Sequence, residues 1–302
     1  MNTKNNLNGF LVVDKPYDMG STKVVSVLKH FLHPTKIGHA GTLDPLATGV
    51  LPIAFGKATR LIPYVMAGKK TYQFTIKWGV ETDSDDLAGK EIATNDKMPT
   101  EDEIRSVLPK FMGEIMQTPS VFSALKVDGK RAYELAREGK EVEIKPRPVN
   151  IYDLKIFKIQ QDNATFEVVC SKGTYVRTLA HDMAHALGTV GVVTMLRRIA
   201  CYPFDLTQAV ALDDIKNEKI TTENLPLIPM ENVIQDMPAI ALSETEIKRL
   251  SQGQRLSWVK LELSQPDMQD GIYSVQIGKK TQGLVKKEGV VLSPELIWFQ
   301  TK

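Results

Sequence analysis

The chain has 302 residues, 42% of them hydrophobic and 25% charged, with a formal net charge of +2. That length suggests about two domains, and the composition excludes a disordered, collagen-like or mucin-like chain. The two cysteines, Cys170 and Cys201, exclude a disulfide scaffold and any zinc site needing three or four thiolates.

Gly9 to Val13 reads as a short buried strand ended by Asp14-Lys15-Pro16. Ser21 or Thr22 is expected to cap a helix through Leu32, with Val24, Val25, Val27, Leu28 and Phe31 on or near one face. Lys36 to Gly49 is dense in Gly, Thr and Pro. An apolar strand, Val50 to Phe55, and a short helix around Ala58 to Met66 follow. Residues 70–78 alternate, with Tyr72, Phe74, Ile76 and Trp78 on one side, as a half-buried strand does. Residues 118–148 look like an exposed basic excursion, with Lys126, Lys130, Arg131, Arg137, Lys140, Lys145 and Arg147. Strands are expected at Ile151 to Ile159, Thr165 to Cys170 and Val192 to Arg198, with a helix from Thr174 to Leu187. Pro226, Pro229 and Pro238 mark a domain boundary. Beyond it come an amphipathic helix, Ser243 to Gln252, and short strands broken by glycines, as in a small β-barrel-like unit.

No apolar run approaches the roughly 18 residues of a membrane span. Met1 to Asn8 is polar and carries no secretory signature, so the cytoplasm is the expected compartment. Residues 1–60 hold seven Lys/Arg against three Asp. This local excess suits either a nucleic-acid surface or a solvated face.

The densest constellation is Gly38-His39-Ala40-Gly41-Thr42-Leu43-Asp44-Pro45-Leu46-Ala47-Thr48-Gly49. Pro45 keeps Asp44 out of the α region. A carboxylate on such a loop suits a nucleophile or base, or equally a turn Asp bonded to its own backbone. His181 and His185 stand at i and i+4, as in zinc enzymes. No further ligand follows at the right spacing, so no metal is assigned. Asp83 to Asp86 reads as a charged turn, because the Gly and Glu of a calcium loop are missing. Phosphate-loop, dinucleotide and Gly-x-Ser-x-Gly signatures do not occur.

Taken together, several segments resemble the TruB family of tRNA pseudouridine-55 synthases, of the bacterial stand-alone type. They are Gly9 to Pro16, Gly38 to Gly49, Lys70-Thr71-Tyr72, Thr82-Asp83-Ser84-Asp85, Gln117 to Arg137, Cys170 to Arg177 and Leu196-Arg197-Arg198, all in family order. Three positions depart from the pattern: Val192 stands where many members have His, Phe122 where Tyr is usual, and Ser84 where Thr is usual.

The resemblance implies an α+β pseudouridine synthase core around a long mixed, mostly antiparallel sheet. It places the catalytic domain at 1–235, with 118–148 as a thumb insertion that closes on RNA. Residues 236–302 are then a small β-rich PUA-like domain. The implied reaction turns uridine into pseudouridine in the tRNA T-loop. It breaks the N1–C1′ bond and joins C5 to C1′, without redox change or cofactor. Asp44 is implied as the nucleophile, Arg177 as its partner, and Tyr72 as the residue stacking on the flipped base. Leu196 would line the pocket and His39 would help fill the vacated site. Lys15 would stand near the cleft, structural or facing RNA, and Lys130 and Arg131 would meet phosphate on the thumb. The implied partner is the tRNA T-stem-loop, bound by a monomer without guide RNA or obligate protein. A catalytically idle RNA-binding or RNA-folding protein on the same scaffold is the alternative, and it has no need of Asp44, Tyr72 and Arg177 together.

Overall fold

The computed structural model describes residues 4–120, 126–127, 130–131, 144–260 and 268–298. In chain order the strands up to the Pro226–Pro238 region are β1 (Gly9–Lys15), β2 (Ile37–His39), β3 (Thr48–Phe55), β4 (Lys70–Trp78), β5 (Val80–Thr82), β6 (Glu91–Thr94), β7 (Gly113–Gln117), β8 (Lys126–Val127), β9 (Lys130–Arg131), β10 (Arg147–Ile159), β11 (Asn163–Cys170), β12 (Gly191–Cys201), β13 (Phe204–Asp205) and β14 (Ala209–Ala211). Ten of them form one sheet in the order β14-β1-β3-β12-β4-β11-β10-β7, with β2 on β3 and β13 on β12. Only β1–β14 and β3–β12 run parallel. The sheet is therefore mixed and mostly antiparallel, as expected.

Apolar runs and alternations explain the layers. In β1 every residue from Phe10 to Val13 is buried, because both faces of the sheet are covered there. Leu11 and Val13 pack with Val24, Leu28 and Leu32 of helix α1 (Ser21–Leu32). Phe10 and Val12 pack on the opposite side with Ala58, Leu61 and Phe204. On β4 the alternation holds: Phe74, Ile76 and Trp78 are buried. They join Phe166 of β11, Leu179 and Met183 of helix α4 (Val176–Ala186), and Ile104 of helix α3 (Glu101–Val107). The other face is polar, with Thr75 bonded to Thr165 and Gln73 to Glu167 across the strands. Helix α2 (Ile62–Ala67) follows a 3-10 turn at Gly56–Leu61, and α5 (Leu212–Lys216) follows β14.

Two local expectations change. Neither Ser21 nor Thr22 caps α1; Gly20 stands at the cap, without a side-chain bond. The Ser21 hydroxyl is drawn instead to Leu43, a long-range partner that sequence spacing does not reveal. Helix α3 is an addition to the expected elements, and its Thr100/Glu103 capping box is written in the sequence.

The last described segment forms a separate five-stranded sheet of β15 (Ala239–Ala241), β16 (Leu256–Ser257), β17 (Gly271–Ile277), β18 (Lys280–Glu288) and β19 (Val291–Ile297), in the order β15-β17-β18-β19-β16. Helix α6 (Glu244–Ser251), capped by Ser243, closes over it. Leu284 and Leu296 reach back into the cluster around Phe10 and Leu61, and Arg60 donates to the Glu295 carbonyl. Most of the expected thumb lies outside the described residues. Of Lys130 and Arg131 only the backbone is described, in the antiparallel β8–β9 pair.

Candidate active site

The Gly38–Gly49 stretch leaves β2, crosses the sheet end and re-enters as β3. Three buried side chains from other elements clamp it. Ser21 accepts from the Leu43 amide at 2.9 Å and donates to its carbonyl at 3.1 Å. Lys15, wholly buried, donates to the carbonyls of Pro45, Pro16 and Met19 at 3.0, 2.9 and 2.5 Å. Arg198 on β12 donates to Gly41 at 3.0 Å and to Val50 at 2.7 Å, closing the loop from both ends. Gly49 carries φ +100°, and a Cβ there would stand 2.2 Å from the Arg198 carbonyl oxygen. Only glycine permits that approach.

This clamp presents Asp44. Its carboxylate is 37% exposed and stands 3.0 Å from Nε of Arg177, whose side chain is only 5% exposed. Arg177 lies in the first turn of α4 and is held from behind. Its Nη1 donates to the Ser84 carbonyl at 2.7 Å and lies 3.4 Å from the Asp86 carboxylate. Asp86 in turn accepts from Ser84 Oγ at 2.7 Å and from the Ala88 amide at 3.0 Å. The Ser84 hydroxyl thus supplies the hydrogen bond here, where the family pattern has Thr. One guanidinium bridges the exposed carboxylate and a buried one, which fixes the approach direction of Asp44.

A cleft of about 830 Å³ opens beside this pair, lined among others by Asp44, Tyr72, Arg177, Leu196 and Arg198. Burial pushes the Tyr72 phenol up to about 12, with Arg198 working against it, so the ring presents a protonated hydroxyl at neutral pH. Leu196, on β12 opposite Phe74, adds an apolar wall. Arg147 stacks its guanidinium 5.0 Å from the Tyr175 ring at the rim.

The structure therefore brings Asp44, Arg177, Tyr72 and Leu196 into one cleft. His39 sits on β2 opposite Ile53 and is not among the residues lining that cleft. Lys15 is buried beneath the loop, so its contacts are with the protein's own carbonyls rather than at a surface. Burial pushes its ammonium down to about 8, and the charge of Asp44 opposes this. Lys130 and Arg131 cannot be placed, because their side chains lie outside the described residues. Sequence reasoning missed Asp86, one residue beyond the quoted Thr82 to Asp85 segment. It gave Ser21 only a helix-capping role and Arg198 none. Val192 is buried in β12, an apolar position in this chain.

Residues 29–176 match the model of the TruB family pseudouridylate synthase N-terminal domain, and residues 177–240 that of the tRNA pseudouridylate synthase B C-terminal domain. A protein named tRNA pseudouridine synthase B from Gluconacetobacter diazotrophicus is 44% identical over 296 residues, 96% of each chain. One of the same name from Bartonella henselae is 46% identical over 265 residues, covering 82% of this chain and 83% of that protein. Among solved structures, a chain of an H/ACA RNP bound to a substrate RNA containing 2′-deoxyuridine superposes with TM-score 0.71 at 23% identity, over 97% of this chain and 85% of that one. An archaeal box H/ACA sRNP complex gives TM-score 0.71 at 24% identity, over 97% and 86%. These two show a shared fold. With the long matches to curated relatives and the family models across 29–240, the chain belongs to the TruB pseudouridylate synthase family.

Proposed function

We propose that this protein isomerises uridine to pseudouridine in the T-loop of tRNA, at position 55. The observation that carries the reading is the Asp44 carboxylate, held 3.0 Å from a buried guanidinium at the edge of a cleft with an aromatic and an apolar wall. The name tRNA pseudouridine synthase B, borne by a relative matching 96% of the chain, supports tRNA as the substrate.

The target base is stacked in a folded T-loop and must be flipped out to react. Tyr72 offers its ring to that base and Leu196 excludes water beside it. Asp44 attacks and forms a transient covalent bond. The N1–C1′ bond breaks, the base turns, and C5 joins C1′ as the carboxylate leaves. Arg177 keeps the carboxylate aimed throughout. The protonated Tyr72 hydroxyl is placed to give its proton to N1, and the phenolate so formed takes back the proton that C5 releases. Atoms and electrons balance within the uridine, so the scheme calls on no cofactor.

Residues 1–235 act as the catalytic unit and 236–302 as a PUA-like appendage. The second sheet, contained within 239–297, supports that division. The protein works as a monomer in the cytoplasm without guide RNA. No described helix is long and apolar enough to cross a membrane. Lys130 and Arg131 are proposed to meet phosphate: their joint replacement by Ala weakens stem-loop binding by roughly 1–3 kcal/mol and flattens the salt slope by about one to two units.

The test incubates a T-stem-loop transcript with the purified protein alone, in EDTA, and maps pseudouridine. Conversion at the T-loop uridine is expected. An unmodified transcript that still binds would replace this reading with the idle RNA-binding one.

A further inference from the structure

His181 and His185 lie one turn apart on α4, and sequence spacing left them without a third ligand. The fold supplies one from about 100 residues upstream. Glu81 of β5 is 12% exposed and directs one carboxylate oxygen at each ring: Oε1 is 3.4 Å from His181 Nε2, and Oε2 is 3.0 Å from His185 Nε2. The three ligand groups lie within 4.8 Å of one another, and the two rings face each other at 4.2 Å between centroids.

We propose that Glu81, His181 and His185 form a binding site for a divalent transition metal of the zinc class, separate from the cleft. Zinc bonds of about 2.0–2.2 Å in tetrahedral array put neighbouring ligand atoms roughly 3.3–3.5 Å apart. The observed separations of 3.4 and 3.0 Å, each to a different oxygen of Glu81, bring the groups within a few tenths of an ångström of that spacing, so small side-chain shifts complete it. One tautomer of His181 suits a metal. His181 Nδ1 lies 3.2 Å from the Asp182 carboxylate. A proton held there leaves the Nε2 lone pair facing Glu81, the carboxylate–histidine arrangement that orients metal ligands. Two imidazoles and one carboxylate suit zinc, nickel or cobalt, and leave a fourth position for water.

The place of the site gives it a consequence. Arg177 stands one helical turn before His181 on α4, and Asp86 lies five residues beyond Glu81. A metal bridging α4 to β5 would brace the two segments that hold Arg177 against Asp44. It would take no part in the chemistry.

The test titrates chelator-treated protein with zinc chloride by calorimetry and follows thermal melting. Wild type is expected to bind one equivalent with micromolar or tighter affinity, and saturation should raise the melting temperature by on the order of 5 °C. His185→Gln, at a half-exposed position, should melt like wild type in EDTA and weaken zinc binding at least ~30-fold; Glu81→Gln should weaken it at least ~10-fold. The paired substitution His30→Gln with His33→Gln, at the other neighbouring histidines of the chain, should leave binding unchanged. Cobalt-loaded protein should show the visible bands of four-coordinate cobalt, absent in His185→Gln. Equal zinc affinity in wild type and His185→Gln, or loss on replacing His30 and His33 instead, would overturn the assignment.

Discussion

The cleft floor and the C-terminal sheet differ in how much charge they bury, Lys287 of β18 being the one buried cation described in the second sheet. Around Asp44 the fold buries charge: Lys15, Arg177 and Arg198 are 0%, 5% and 1% exposed, and Asp86 is 8% exposed. The C-terminal sheet closes instead over Ile240, Ile247, Val275, Val285 and Leu292, an apolar core under one helix. Burying charge is costly unless each group is paired and hydrogen-bonded. In the cleft the three cations are paired with the Asp44 loop or with Asp44 itself. Burial near Asp44 thus fixes the geometry of one loop and its carboxylate, whereas burial in the second sheet holds that sheet together.

Substitutions should separate the two regions. Asp44→Asn removes the charge of the proposed nucleophile in an isosteric side chain. Single-turnover pseudouridine formation should fall by more than ~10⁴-fold while stem-loop affinity stays within about threefold; a rate within tenfold of wild type would remove Asp44 from the chemistry. Asp86→Asn comes next. It keeps the side-chain shape but takes one carboxylate from Arg177, a charge-assisted contact worth about 1.5–3 kcal/mol. The chemical step should slow by roughly 10–100-fold with little change in RNA affinity, and an unchanged rate would show that Ser84 and Asp44 suffice to hold the guanidinium.

Val285→Ala probes the other side of the comparison. Val285 is fully buried in β18. Truncation should cost about 1–3 kcal/mol in denaturant unfolding, and the rate at saturating RNA should stay within about threefold. A collapse in rate would mean that the second sheet also positions the site.

The smallest effect concerns Asp85, in a left-handed turn at φ 62°. Burial pushes its carboxyl from 3.8 up to about 6, while His181 and Arg177 oppose the shift. Its folded pKa is therefore the higher one. Between pH 3.8 and about 6 the native state holds more protons than the unfolded chain, so this group's contribution falls as pH rises through that window. Asp85→Asn, which tolerates the same turn, should stabilise the protein by ~1–2 kcal/mol at pH 7. The gain should vanish below about pH 4. A gain independent of pH would point to turn propensity instead.

Much of this was legible in the residues. The alternation at 70–78, the apolar run of β1 and the helical period before Leu32 each reflect one local rule acting on one segment. Pro45 and the flanking glycines mark a constrained loop, but they fit a turn Asp as well, and it is the family resemblance that singles out Asp44. Asp86 was not legible: among Asp83, Asp85 and Asp86 nothing local says which carboxylate turns inward. His39 is of the same kind: the resemblance gives it the site vacated by the flipped base, and only the pairing of β2 with β3 shows where it stands, opposite Ile53.

By itself the sequence determined the element types, the loop that carries Asp44 and the residue kinds the reaction needs, because these depend on neighbours a few positions apart. Only the tertiary structure decided what meets what. Setting β12 between β3 and β4 carries Arg198 to Gly41 and Val50, about 150 residues away in the chain. Laying α4 beside the β5–β6 turn carries Arg177 to Asp86 and Glu81 to both histidines. Long-range pairing is set by how whole faces of sheet and helix bury together, and no local period encodes it.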